Sequence, residues 1–140
     1  MKKALGIDWG RNTWGIAIGQ SVDFIQPLSA IRAQSGAIKF IDLNGILLEW
    51  KPECIILGHP LKKDQTKLDI TEQVERCAKW LEKTTNLPVI LHDEYKTTKV
   101  AKDIQFKKLG FKGLKDKAAL DSLSAALILE SWYLQQLRLN

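Results

Sequence analysis

Cysteine and histidine are scarce in this chain, with two of each in 140 residues. Cys54 and Cys77 lie far apart on a predicted buried strand and a predicted helix, which excludes the close spacings of zinc and redox motifs and leaves reduced, packed thiols. His59 and His92 have no second histidine or cysteine at ligand spacing, so a zinc centre is not expected. No apolar run reaches the length of a membrane span. The start, MKKALGIDWG, breaks its apolar stretch at Asp8, which argues against a secretory signal and points to the cytoplasm. Internal repeats, low-complexity tracts and long linkers are also missing. With 45% hydrophobic and 26% charged residues, the composition is that of one globular domain spanning residues 1–140, large enough to bury a core without staples.

The net charge is +5, and its placement says more than its size. Lysines 96, 99, 102, 107, 108, 112, 115 and 117 face only Asp103 and Asp116 within the same segment, leaving the rest of the chain close to neutral. Such a block suits a polyanionic partner. It equally suits a solvated face that aids solubility.

Hydrophobic periodicity predicts strands at 4–8, 14–19 and 24–31, the first two joined by a polar turn around Gly10, Arg11 and Asn12. Pro27 assigns the third strand to an edge or a bulge. Residues 37–50 read as a helix carrying Ile38, Ile41, Leu47 and Leu48, with Gly45 a local weakness and Pro52 helping to end it. ECIILG is a buried strand, 67–85 an amphipathic helix and Pro88–Leu91 another buried strand, together a right-handed βαβ unit. A helix near Thr97 or Thr98 and a final helix from about 117 to 136 complete the order. Three antiparallel strands followed by alternating helices and strands give a mixed α/β sheet flanked by helices, and the ribonuclease-H-like architecture is the small fold with that order.

Three carboxylates stand out against this frame. Asp8 ends an apolar strand and opens the spacing D-x-G-x-x-x-x-G with Gly10 and Gly15, where glycines allow close approach of a phosphate or a neighbouring strand. An aspartate that only caps the hairpin turn explains it too. Asp93 and Glu94 follow PVIL at the carboxyl end of a strand, where α/β sheets place ligands, although plain loop acids are common there. Asp121 falls within the last apolar helix, on one line with Ala118, Ala125, Ile128 and Trp132. If Asp116 caps that helix, Asp121 is past the first turn; a later start would make it an ordinary first-turn acid. Should the three converge, they form an oxygen-rich pocket for a hard divalent cation such as Mg²⁺, the apparatus of phosphodiester cleavage. Trp9 and Trp14 read as packing residues before base-stacking ones.

Taken in order, IDWGRNTWGIAIGQ, ILGHPLKKDQT, LHDEYKTTKVA and LDSLSAALILESWYL resemble the YqgF (RuvX) family of Holliday-junction-resolvase-like proteins, also described as pre-16S rRNA nucleases. The resemblance implies a ribonuclease-H-like fold and a cytoplasmic nuclease that uses one or two Mg²⁺ or Mn²⁺ ions to mature the 5′ end of 16S rRNA in ribosome biogenesis. It implies structured RNA, and with it the small ribosomal subunit, as partner. Resolution of branched DNA, or RNA binding without catalysis, are the alternatives. By position it selects Asp8, Glu94 and Asp121 as catalytic and metal-holding residues, with Gly10, Gly15 and Asp93 in support. Arg11 and Lys96, Lys99, Lys107, Lys108, Lys112, Lys115 and Lys117 are then expected to hold the nucleic-acid backbone. Tyr95 and Lys96 replace an arginine and an apolar residue of the usual pattern, and His59, Lys62 and Gln65 are further departures.

Overall fold

The computed structural model describes residues 1–61, 70–95 and 121–139. Five strands form one sheet: β1 (Ala4–Asp8), β2 (Thr13–Ser21), β3 (Phe24–Arg32), β4 (Cys54–Leu61) and β5 (Val89–Tyr95). Their order is β3-β2-β1-β4-β5. The β1–β2 and β2–β3 pairs are antiparallel, while β1–β4 and β4–β5 are parallel, as the element order predicts. β3 is an edge strand, which is where Pro27, opposite Ala17, costs the sheet least. Three helices are described: α1 (Phe40–Trp50), α2 (Thr71–Thr85) and α3 (Leu123–Leu139). Among the described residues no helix is long and apolar enough to cross a membrane.

β1 and β4 lie inside the sheet and are covered on both faces, so they read as continuous apolar runs rather than alternating ones. Alternation then divides the core in two. Leu5, Ile7, Trp14, Ile16, Ile55 and Leu57 pack with Leu43 of α1 and with Val74, Cys77, Ala78 and Leu81 of α2. On the opposite face Ala4, Ala17, Cys54 and Ile56 pack under Ala125, Ala126, Ile128, Leu129, Trp132 and Tyr133 of α3. The small residues on this side let α3 lie close to the sheet. Tyr133 Oη donates to the Lys2 carbonyl at 2.8 Å, tying the far end of α3 to the start of the chain.

Three boundaries differ from the sequence reading. α1 turns Leu43 into the core, with Ile46, Leu47 and Trp50 beside it, while Ile41 and Leu48 are 75% and 67% exposed. Leu47 packs as the spacing predicted, but with Leu43 the only fully buried residue of the helix, apolar spacing alone misjudged the rest of its inner face. β5 runs to Tyr95, so Asp93 and Glu94 belong to the strand itself. α3 begins at Leu123, with Asp121 and Ser122 in the turn before it. The helix expected near Thr97 and the Asp116 cap lie outside the described residues.

Both cysteines are free and buried. Burial pushes the Cys77 thiol up to about 12 and raises that of Cys54. Burial likewise pushes the Tyr133 phenol up to about 12. In the unfolded chain these groups ionise near 9.0 and 10.0. The folded state therefore keeps protons that the unfolded state releases, so stability should hold below pH 9 and fall as the pH rises towards 12. Urea midpoints across that range check this, and Cys77→Ala should flatten the decline.

Candidate active site

Asp8, the last residue of β1, is partly buried and faces α3. Its partner in register on β2 is Gly15. On the other side Ile7 pairs with Leu57, which sets Gly58 of β4 beside Asp8. The carboxylate thus stands between two positions without side chains, and both openings are used. A Cβ on Gly58 would come within 2.6 Å of Glu94 Oε2 and equally close to Ile128 Cδ1. A Cβ on Gly15 would come within 2.7 Å of the Asp121 carbonyl oxygen and 3.5 Å of Asp8 Cβ. Glu94 therefore reaches over β4, and the Asp121 backbone lies over β2, with Asp8 between them.

Each acid is held there by a different element. Glu94 pairs with Pro60 and Asp93 with His59, and the pleat turns successive residues to opposite faces. His92 and Glu94 face α3, and His92 Nε2 lies 2.8 Å from Ser131 Oγ. Burial lowers the His92 pKa, partly offset by the Asp93 charge. Asp121 is fixed through its neighbour: Ser122, fully buried, accepts a hydrogen bond from the Ile16 backbone N–H on its Oγ at 3.0 Å. Ser122 also starts α3, its carbonyl accepting from the Ala126 N–H at 3.1 Å. Asp121 itself is exposed, in the turn just ahead of the helix N-terminus, where the dipole favours negative charge. The expectation of a carboxylate buried within the helix is corrected by this later start.

Asp93, expected to support Glu94, faces the other way. Its Oδ1 lies 3.4 Å from His59 Nδ1, while His59 Nε2 lies 3.1 Å from Glu75 Oε2 of α2. This His59, Glu75 and Asp93 cluster was missed in the sequence because Glu75 is separated from the other two by the chain path. Register was the available signal, since residues paired across parallel strands share a face. Gly10 closes the β1–β2 turn, where a Cβ would meet the Thr13 carbonyl oxygen at 2.5 Å. Arg11 is exposed in that turn. Lys96, Lys99, Lys107, Lys108, Lys112, Lys115 and Lys117 lie outside the described residues, as do Lys62 and Gln65.

The donor set of Asp8, Glu94 and Asp121 is all oxygen, the chemistry of Mg²⁺ or Mn²⁺ rather than of zinc or copper. Gly15 and Gly58 let the Asp121 turn and Glu94 close in on either side of Asp8, so these oxygen donors share one end of the sheet. The three acids line this end without closing on one point: among the described residues no three His, Cys, Asp or Glu side chains are gathered tightly enough to hold a metal.

The model of the RuvX family, described as Holliday junction resolvase, matches residues 2–136. The chain belongs to the RuvX family. It is 40% identical over 131 residues to a protein of Buchnera aphidicola subsp. Baizongia pistaciae that bears the name "Putative pre-16S rRNA nuclease", covering 93% of this chain and 95% of that one. A protein of the same name from Glaesserella parasuis is 41% identical over 133 residues, covering 94% and 96%. Among solved structures, Thermus thermophilus RuvC in complex with a Holliday junction substrate superposes with a TM-score of 0.56 at 13% identity, covering 95% of this chain and 98% of that one. The fowlpox virus Holliday junction resolvase gives 0.57 at 15% identity, covering 96% and 99%. These likenesses establish the fold of this RuvX chain, a ribonuclease-H-like sheet with its flanking helices.

Two substitutions test the geometry. Gly58→Val should displace Glu94 and Ile128, weakening divalent-cation binding measured by calorimetry while leaving a folded protein by circular dichroism. Ser122→Ala leaves the buried Ile16 N–H unpaired and should lower stability by about 1–3 kcal/mol in urea unfolding.

Proposed function

We propose that this RuvX chain is a metal-dependent endonuclease that cuts structured RNA, and that its substrate is the 5′-extended precursor of 16S rRNA, met in the cytoplasm on or near the small ribosomal subunit. The observation that carries the reading is the row formed by Glu94, Asp8 and the Asp121 turn, which the missing side chains of Gly58 and Gly15 allow to pack side by side. The names of the relatives at 40% and 41% identity support RNA as the substrate.

Asp8, Glu94 and Asp121 would hold one or two Mg²⁺ or Mn²⁺ ions. When bound, such ions polarise the scissile phosphate and lower the pKa of a coordinated water. The protein supplies placement. Gly15 and Gly58 let the Asp121 turn and Glu94 stand next to Asp8, and the α3 N-terminus favours a negatively charged phosphate nearby. Arg11 is positioned in the turn to hold the backbone, and the lysines between 96 and 117 add point charges without the bidentate grip of arginine. His92, whose burial favours the neutral imidazole, steadies through its Ser131 contact the strand that carries Glu94.

Purified protein offered precursor RNA and a four-way DNA junction with Mg²⁺ or Mn²⁺ should cut the RNA. Asp8→Asn and Glu94→Gln should each lower the cleavage rate on the order of a hundredfold or more, and chelation should abolish it. Binding by the variants should persist and weaken steeply with salt. Preferred cutting of the junction would identify a DNA resolvase, which requires a symmetric dimer for a symmetric substrate. Equal binding without cutting by wild type and variants would identify an RNA-binding protein.

A further inference from the structure

On the opposite face of the sheet, at the same end as the carboxylates, lies an open cavity of about 470 Å³ that the nuclease reading does not use. Trp9 and Trp14 line it from the sheet side, Gln73, Arg76 and Trp80 from α2. Both indoles on the sheet side are fixed by one acceptor: Trp9 Nε1 and Trp14 Nε1 donate to the Gly36 carbonyl at 3.0 and 3.1 Å. Gly36 has φ of +84°, and a Cβ there would collide with the Trp9 ring. Trp80 stands edge-on to Trp14, centroids 6.1 Å apart at 83°, and is still 38% exposed. The aromatic walls are thus set before any ligand arrives, so little side-chain entropy remains to be lost on binding.

We infer that this cavity is a binding site for an unpaired nucleobase of the RNA substrate, which deepens the nuclease reading and rests on it for the identity of the polymer. Three observations favour a base over an apolar side chain. The accessible indoles of Trp9 and Trp80, backed by the buried Trp14, are stacking platforms for any base. Gln73 adds an amide that can both donate to and accept from a base edge. Arg76 is exposed and makes no ion pair with a described residue, leaving its guanidinium for a base face or a neighbouring phosphate. The path between the two sites is short. Asp8 and Trp9 are consecutive residues facing opposite sides of the sheet, and the turn that follows them carries Arg11, whose carbonyl accepts the Gly36 N–H at 2.9 Å. A strand held at the carboxylates and drawn over the Arg11 turn delivers a downstream or upstream base to the tryptophans.

Titration of the intact protein with adenosine monophosphate, followed through the indole Nε1–H resonances, should shift Trp9, Trp14 and Trp80 and leave Trp50 and Trp132 in place. Ribose 5-phosphate should shift none of them. Trp80→Leu and Arg76→Ala, with Trp50 and Trp132 signals unchanged as proof of folding, should weaken binding of a single-stranded ribo-oligonucleotide about tenfold. An oligonucleotide of abasic residues should bind wild type about as weakly. The inference is overturned if adenosine monophosphate leaves the three indoles unmoved, if ribose 5-phosphate moves them equally, or if both variants bind as wild type does. Should the last occur while Asp8→Asn still abolishes cutting, the nuclease reading stands without the base site. Should wild type cut nothing while the indoles shift, the base site stands and the nuclease reading falls.

Discussion

The close seating of α3 on the sheet is the contact on which the rest of the molecule depends. It is made possible by the small residues of β1 and β2 on that face and by Ala125 and Ala126 on the helix, all fully buried. Larger side chains would lift the helix, and three things would go with it: the Ser122 bond to the Ile16 N–H, the Asp121 turn over Gly15 and the contact of Ile128 with Gly58. A single packing distance therefore sets both the stability of one core and the approach of an acid from the last helix to an acid on the first strand.

The two faces of the sheet divide the chemistry between them. One carries oxygen donors side by side, and the other carries indoles, an amide and a guanidinium around a cavity. β1 serves both, because the pleat sends Asp8 one way and the next residue, Trp9, the other. The register between β4 and β5 makes a similar division, giving Glu94 to the α3 side and Asp93 to His59 and Glu75.

Much of this was legible in the residues. The succession of strands along the chain and their antiparallel-then-parallel pairing followed from apolar runs and turn signals, and of the edge or bulge that Pro27 marked, the edge is what the sheet shows. Asp8 announced itself because a charge at the end of a fully apolar strand is unusual. Choosing between Asp93 and Glu94 was harder: neighbouring acids differ only in the phase of the pleat, which no composition reveals and which a one-residue slip would invert. Asp121 was found for an incomplete reason, since it is an exposed acid before the helix rather than a charge within it. The inner face of α1 was misread because only Leu43 is fully buried, too little for spacing to show. Gly58 was invisible, and a base-stacking Trp9 ranked below packing, because both depend on contacts between distant segments.

α3 also has a place in time. It follows every other described element in the chain, and a ribosome delivers it last, after the sheet has had the chance to assemble. Until then Glu94 and Asp8 stand on a sheet with one face uncovered, and the third acid has no fixed position. The Tyr133 bond to the Lys2 carbonyl closes α3 against the segment that leads into β1. The row of acids is thus complete only after the last described element has left the ribosome and packed on the sheet.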